Sequence, residues 1–219
     1  MTRAHLTAAL AAALAVVALA PTAARAAFER APGPSGWVGV RTGLIVDTRI
    51  GGGILDITSR TLLAPAFGVS AEYRFGRVDV GGVFESLGGT TFILEGRRRR
   101  LGGQMRGALT LRWRFMEQRW GAVYTRLGIG WAGTRLNDGF RDAVVEAQGD
   151  GTERADVSQR AHGITASSAF GLILYPSTRV AAFIEGDVMT ELFSMRIDGD
   201  RTPLSVTRTS VSVGVIWRL

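Results

Sequence analysis

The last fifteen residues, 205–219, constrain the fold most, because they separate into two faces when alternate positions are compared. The odd positions end in an apolar series: Val211, Val213, Val215, Trp217 and Leu219. The even positions between them are mostly small or polar. Successive side chains of a β-strand point to opposite faces, so the pattern predicts a strand with one apolar and one polar face. An aromatic residue close to the end of such a run is typical of the closing strand of a transmembrane barrel.

The start of the chain has the features of a targeting segment. Arg3 and His5 precede an uninterrupted apolar stretch, Leu6–Ala20, and Ala24–Ala26 offers a small-x-small cleavage site. These features predict a secretory signal peptide over residues 1–26. An uncleaved anchor is disfavoured, because the apolar stretch is shorter than the roughly 20 residues that a spanning helix needs.

The remainder indicates a Pro/Gly linker at 27–36 and one domain over 37–219. No later stretch approaches 18 consecutive apolar residues, so a closed barrel is the way for this backbone to satisfy its hydrogen bonds in lipid. Alternation predicts eight strands, at about 37–48, 66–75, 78–86, 103–115, 120–133, 161–175, 180–190 and 205–219. The predicted fold class is all-β, an eight-stranded antiparallel up-and-down transmembrane β-barrel.

The predicted connections alternate between long and short. The long ones are 49–64, 87–102, 134–160 and 192–204. Outer-membrane barrels have short periplasmic turns and longer extracellular loops, so every short connection would lie in the periplasm if the first strand starts there. Whether 49–64 and 134–160 form extra hairpins stays open.

Composition excludes several kinds of site. The chain has no cysteine, which excludes disulfides and thiolate metal sites. No metal-ligand spacing is present, and we expect neither a metal nor a cofactor. The net charge of +7 raises the question of nucleic acid. The basic residues are scattered among acids along alternating strands of an exported chain, so we expect no nucleic-acid partner.

Alternation alone does not say which face is inside, because a soluble lipocalin-like barrel has the same period with apolar residues inward. Here the polar face is crowded with small residues and nearly balanced charges, as suits a narrow lumen, and buried charges must pair. The predicted lumen charge network is Arg41, Glu72, Glu85, Arg106, Arg112, Arg126, Glu185, Asp187 and Arg208, with Asp47, Arg74, Asp79, Arg114 and Arg218 on the same face. This network either fills the lumen or lines a gated ion path.

Aromatic residues gather near the predicted strand ends, where Tyr and Trp favour a membrane interface. The predicted periplasmic girdle is Trp37, Tyr73, Phe75, Trp113, Phe115, Trp120, Tyr175 and Trp217, and the outer rim has Phe84, Trp131 and Phe193. Trp37, Trp120 and Tyr175 break the alternation of their strands, so their direction is open.

The chain resembles the small outer-membrane β-barrels, similar to the transmembrane domain of outer membrane protein A and to opacity-type and porin-like barrels. The residues that carry the resemblance are Phe67–Gly76, Val78–Gly82 and Val211–Leu219. The resemblance implies a bacterial outer-membrane location and recognition of residues 205–219 by the barrel assembly machinery.

Some barrels of this class act on lipid A, which would need a histidine beside a nucleophile. The only histidine after the predicted signal peptide is His162, and Ser168 lies six residues further on, roughly 20 Å along a strand. A working dyad needs about 3 Å, so we expect no enzyme.

The run Arg97, Arg98, Arg99 and Arg100 is a candidate contact for lipopolysaccharide phosphates, with a solvated loop as the alternative. We expect a monomeric integral outer-membrane protein with a polar, filled lumen. Its predicted partners are outer-membrane lipid and lipopolysaccharide, and its role would be structural or surface interaction through long extracellular loops. A narrow ion or small-solute channel and a lipid A-modifying enzyme are the alternatives.

Overall fold

The computed structural model describes residues 35–51, 64–94, 97–147 and 156–219. The elements in these ranges are β1 (Ser35–Gly51), β2 (Ala64–Phe75), β3 (Val78–Leu87), β4 (Thr91–Leu94), β5 (Arg97–Arg100), β6 (Gln104–Gln118), β7 (Gly121–Arg135), α1 (Asp138–Ala147), β8 (Arg160–Leu174), β9 (Val180–Ile197) and β10 (Asp200–Arg218). The predicted signal peptide lies outside the described residues. Strand β1 begins two residues earlier than predicted, inside the range assigned to the linker.

Eight of these strands close into a barrel in the order β1-β10-β9-β8-β7-β6-β3-β2. Neighbouring strands are antiparallel, and β10 closes the ring by pairing with β1, for example Val38 with Trp217. The predicted eight-stranded antiparallel barrel is therefore confirmed. Within the described ranges, no helix is long and apolar enough to cross a bilayer.

The two ends of the barrel differ in their connections. Three short connections, 76–77, 119–120 and 175–179, lie at the end that also carries the C-terminus, which we call the turn end. Gly76 has a φ of 59°, a conformation that suits glycine in so tight a turn. The opposite end, which carries the longer connections 52–63, 88–103 and 136–159 together with the turn between β9 and β10, is the loop end.

The prediction that residues 192–204 form a loop is wrong. Strands β9 and β10 continue through it and meet at Asp198 and Gly199, whose φ values of 50° and 90° form a two-residue hairpin turn. These strands have 18 and 19 residues, whereas about 9–11 suffice to cross a membrane. The hairpin therefore projects beyond the barrel at the loop end.

Two other long connections contain regular structure. The 87–102 segment carries the β4–β5 hairpin, and the 134–160 segment carries helix α1. Asp138 lies in the first turn of α1, where a negative charge complements the helix dipole. The connection between β1 and β2 lies outside the described residues.

A β-bulge in β1 reverses which residues face the lumen. The pairing with β10 shifts between Ile45 and Asp47, and beyond this point Thr48 and Ile50 are buried inside. The Asp47 side chain is 44% exposed and lies 3.6 Å from Arg49. Its predicted place in the lumen network is wrong, because one extra residue in a strand moves every later side chain to the other face.

The barrel is apolar outside and polar inside. Every barrel strand exposes large apolar side chains, such as Leu109 (74% exposed) and Ile129 (67%), while its alternate residues are buried in the lumen. A soluble barrel with a dry apolar centre is excluded by this arrangement. The outer surface is instead one that lipid covers.

Candidate functional site

The lumen carries equal numbers of buried positive and negative side chains. Six arginines and six carboxylates are at most 9% exposed: Arg41, Arg106, Arg112, Arg114, Arg126 and Arg208, with Glu72, Asp79, Glu85, Glu185, Asp187 and Glu191. All nine residues of the predicted network lie in this set. Over the described residues the buried set is formally neutral, so each buried guanidinium has a carboxylate available to it.

Glu185 of β9 is the centre of this set. One carboxylate oxygen accepts hydrogen bonds from Arg126 at 2.7 Å and Arg41 at 2.5 Å. The other accepts from Arg126 Nε at 3.0 Å and from the Tyr124 hydroxyl at 3.0 Å. The Arg126 contact is therefore bidentate, a geometry that the planar guanidinium matches closely.

Two further carboxylates extend the central network. Arg106 donates through Nε to Glu85, and its Nη2 lies 3.1 Å from Asp187. Arg41 Nε lies 3.0 Å from Glu85, so Arg41 links Glu85 to Glu185. Four strands, β1, β3, β6 and β9, are cross-linked through the lumen by these ion pairs.

A separate group lies nearer the loop end. Glu191 accepts hydrogen bonds from Arg208 and from Gln104 Nε2. The sequence analysis missed Glu191 because it ended the seventh predicted strand at Thr190. The odd positions of β9 remain lumen-facing up to Ile197, so continuing the alternation would have found it.

A third group lies nearer the turn end. Arg114 binds Asp79 through two nitrogens, and Arg112 lies 2.7 Å from Glu72 and 3.8 Å from Asp79. The Arg112 guanidinium also lies over the Tyr124 ring, 4.6 Å from its centroid, a favourable cation–π contact.

Aromatic side chains fill the lumen around this group. An apolar cluster contains Trp37, Ala122, Tyr124, Ile173, Ala181, Phe183 and Ile216, with Tyr175 packed against it. Glycine makes room for these rings: a Cβ at Gly171 would lie 2.6 Å from the Tyr124 hydroxyl. A remaining cavity at this end measures about 10 Å³, which is about the volume that one water molecule requires.

The aromatic girdle is therefore smaller than predicted. Trp37 is only 7% exposed and donates to Ser35 Oγ inside the barrel, so its assignment to the girdle is wrong. Tyr175 is half-buried in the turn-end mouth, where its hydroxyl lies 3.4 Å from Arg114; burial raises the pKa of this phenol. The other six face outward and are at least 36% exposed: Tyr73, Phe75, Trp113, Phe115, Trp120 and Trp217.

Helix α1 closes the loop end with an apolar cluster. Phe140 and Val144 of α1 are fully buried against the inner faces of the barrel strands. The strand residues of this cluster include Ile50, Ala132, Phe193, Ile197 and Leu204. Phe193 was predicted at the outer rim, but it points inward because the alternation of β9 does not stop at Thr190. We call this cluster the apolar cap.

The two described side chains of the predicted arginine run, Arg99 and Arg100, differ in their surroundings. Arg99 is 13% exposed, and its Nη2 lies 2.8 and 2.9 Å from the two carboxylate oxygens of Glu146 in α1. Arg99 therefore contacts helix α1, and Arg100 is exposed. The predicted contact of the run with lipid phosphates stays a prediction. The side chains of Arg97 and Arg98 lie outside the described residues.

His162 lies on the outer surface near the loop end. Its ring stacks on Trp131 with centroids 5.8 Å apart, as in an aromatic membrane-border pair. Ser168 is on the same face but further along β8, and the register instead places Ser194 of β9 opposite His162. In the described part of the chain, no group of three His, Cys, Asp or Glu side chains could hold a metal ion.

No protein-family model and no curated protein sequence matches the chain. Solved structures do match. The outer membrane protein OprG from Pseudomonas aeruginosa is 12% identical with a TM-score of 0.52, covering 85% of this chain and 96% of that one. Neisserial surface protein A is 11% identical with a TM-score of 0.50, covering 86% of this chain and 100% of that one. This chain has their fold, that of an eight-stranded outer-membrane β-barrel. The predicted outer-membrane location agrees with that fold and with the apolar outer surface.

Proposed function

We propose that this chain is an integral outer-membrane protein with a filled, non-conducting lumen. Its role is structural or surface interaction, exercised through the loop end. In this orientation the turn end faces the periplasm and the loop end faces the exterior, as in barrels with short periplasmic turns and long outer loops.

The observation that carries this proposal is the complete pairing of charges across the lumen. A conducting path needs water and charges that can exchange their partners with passing ions. Here each buried arginine lies within 4 Å of a buried carboxylate, and the apolar cap covers the network at the loop end. Both features favour a plug over a channel.

The loop end supports the surface role because it holds most of the structure outside the barrel wall. Helix α1, the β4–β5 hairpin and the projecting β9–β10 hairpin all lie there. The turn end has connections of two, two and five residues. A partner approaching from outside would meet the loop-end elements first.

A planar-bilayer recording tests the filled lumen. We expect the refolded protein to leave the membrane non-conducting, while the gel mobility of the unboiled protein differs from that of the boiled protein. Steady single-channel currents from protein that shows this shift would support the narrow channel instead. Release of acyl chains or phosphate from lipid A, lost in His162→Ala, would support the enzyme.

Single cysteines test the orientation, because the native chain has none. Asp200→Cys places a thiol at the exposed tip of the β9–β10 hairpin, and Thr178→Cys places one in an exposed turn-end connection. We expect a membrane-impermeant maleimide to label Asp200→Cys in intact cells and Thr178→Cys only after lysis. The reverse pattern would contradict the proposed orientation.

A further inference from the structure

Two pairs of exposed arginines lie on the outer face of the barrel at the loop end. Arg135 of β7 pairs in register with Arg160 of β8, and Arg196 of β9 pairs with Arg201 of β10. Ser158 joins the two pairs, since its hydroxyl accepts from the Arg196 amide and donates to the Arg160 carbonyl, both at 3.1 Å. We call these four residues the arginine row.

The register fixes the height of the row above the apolar surface. Two residues below it lies a second row, Gly133, His162, Ser194 and Pro203; two residues below that lie Trp131, Ile164 and Leu192. Four residues span about 13 Å along a strand, or about 9 Å of height at a tilt near 45°. The arginine row therefore lies at the level of lipid headgroups, just above the aromatic border.

Among the residues that the structure describes, the row has no acidic partner. Within the described residues, no carboxylate oxygen lies within 4 Å of any of its guanidinium groups. The Asp198 carboxylate in the adjacent turn instead accepts from the Asp156 amide at 2.6 Å. Like charges directly opposite each other destabilise a sheet, and this surface has two such pairs. In contrast to the lumen, the row is left to be neutralised by an anion from outside the chain.

The row occupies one side of the barrel only. On the other four strands, the outward side chains at the loop ends of β2, β3 and β6 are Pro65, Ser86 and Met105, all uncharged. The loop end of β1 carries the exposed Arg49, which has an acidic partner, Asp47, at 3.6 Å. A general attraction to a negatively charged membrane would call for basic residues distributed around the whole circumference of the barrel. Two arginine pairs on an arc of four consecutive strands suit a single polyanionic headgroup.

From these observations we infer that the arginine row binds the phosphate groups of lipopolysaccharide in the outer leaflet. The inference rests on the proposed function, since it needs the loop end to face the exterior. A guanidinium can bind two phosphate oxygens at once. The lipid acyl chains would then lie along the apolar surface below the row. The predicted phosphate contact of Arg97–Arg100 stays a separate prediction.

The test compares two variants that lose equal charge. R160Q/R196Q/R201Q removes most of the row, and R77Q/R119Q/R179Q removes three exposed arginines from the three turn-end connections. Both are refolded in detergent, and bound bisphosphorylated lipid A is measured by native mass spectrometry. We expect the row variant to lose affinity about tenfold or more, since each arginine near a headgroup contributes appreciably, and the turn-end variant to bind like the native chain.

Two further arms identify the ligand. Lipid A lacking phosphate should bind the native chain and the row variant equally, and inorganic phosphate should fail to displace bisphosphorylated lipid A. Displacement by inorganic phosphate would mean that the row binds free anions, and would overturn the lipid assignment. R160K/R196K/R201K, which keeps the charge but loses the forked geometry, should bind with intermediate affinity.

The remaining outcomes are distinguishable. If the row variant shows the heat-dependent gel shift and binds lipid A like the native chain, the inference is overturned. Equal losses in both variants would show that net charge, not the row, attracts the lipid, and would also overturn it. If the native chain itself shows no shift, the proposed function fails first.

Discussion

The middle of the lumen and its loop end are both buried, but they use opposite kinds of side chain. In the middle, Glu185 is shared by Arg126, Arg41 and Tyr124. At the loop end, Phe140 of helix α1 packs among apolar strand residues. A buried charge needs each of its partners, whereas an apolar cluster can lose one member and collapse around the gap. A substitution in the middle of the lumen should therefore destabilise the whole barrel, whereas a substitution in the cap should affect only the cap.

The largest effect is expected from Glu185→Ala. It leaves two buried guanidinium groups short of their shared carboxylate, and breaking a buried ion pair typically lowers stability by about 3–5 kcal/mol. Urea unfolding in lipid vesicles, followed by tryptophan fluorescence, measures the change. Glu117→Ala is the control, because Glu117 pairs with Arg74 at the turn-end rim, where it is 27% exposed, and should lose about 1 kcal/mol or less. Equal losses would contradict the idea that burial makes the pairing obligatory.

The same contrast explains how much the sequence could predict. In regular strands, alternation decides direction: Arg126 is buried and Leu127 is exposed because they are neighbours on one strand. Alternation requires only the bounds of the strand and the direction of one of its side chains. For this reason the eight strands, the polar lumen and the placement of its charged residues could be worked out without coordinates.

Alternation gave wrong predictions in two situations: where a bulge exchanged the inward and outward positions of a strand, and where a strand continued beyond the apolar part of its outer face. The bulge before Asp47 has no marker in residue type, so the reversal could not be foreseen. Beyond Leu192 the outer face of β9 turns polar at Ser194 and Arg196, which made a continuing strand resemble a loop. The arginine row could not be found either, because it exists only once the register sets four distant strand ends beside one another.

Phe140→Ala should give a smaller and more local effect. Removing a buried phenylalanine ring costs about 3 kcal/mol or more, but here the loss falls on the docking of α1, which can detach while the barrel remains closed. We expect protease cleavage within 138–147 to speed up strongly, with the heat-dependent gel shift unchanged. In Asp142→Ala, which removes a side chain on the same helix that is 66% exposed and lies 4.0 Å from Arg99, cleavage should speed up by a few fold at most. Loss of the gel shift would show that the cap and the barrel are one cooperative unit.

Arg99→Gln should loosen the same helix more weakly. The Arg99 ion pair with Glu146 lies at the surface, where the glutamate is 40% exposed. Such pairs contribute about 0.2–1 kcal/mol, so proteolysis of α1 should accelerate by a few fold at most. Arg100→Gln is the matched control from the next position, with an exposed side chain. An effect as large as that of Phe140→Ala would mean that the ion pair, not the apolar cap, holds the helix.

The smallest net change is expected when a whole polar group of the lumen is replaced. Arg208 and Gln104 both donate hydrogen bonds to Glu191 just below the cap. The triple variant Q104L/E191L/R208M removes all three polar side chains. Replacing a complete buried ionic group by apolar residues of similar volume is often neutral or stabilising, whereas removing one partner leaves the others buried without a counter-charge. Unfolding of the triple variant should therefore resemble that of the native barrel, while Glu191→Ala alone should lose about 3 kcal/mol. If the triple variant is as unstable as Glu191→Ala, the hydrogen bonds of this group stabilise the barrel by more than they cost in desolvation. The polar middle of the lumen would then contribute stability that apolar side chains like those of the cap cannot replace.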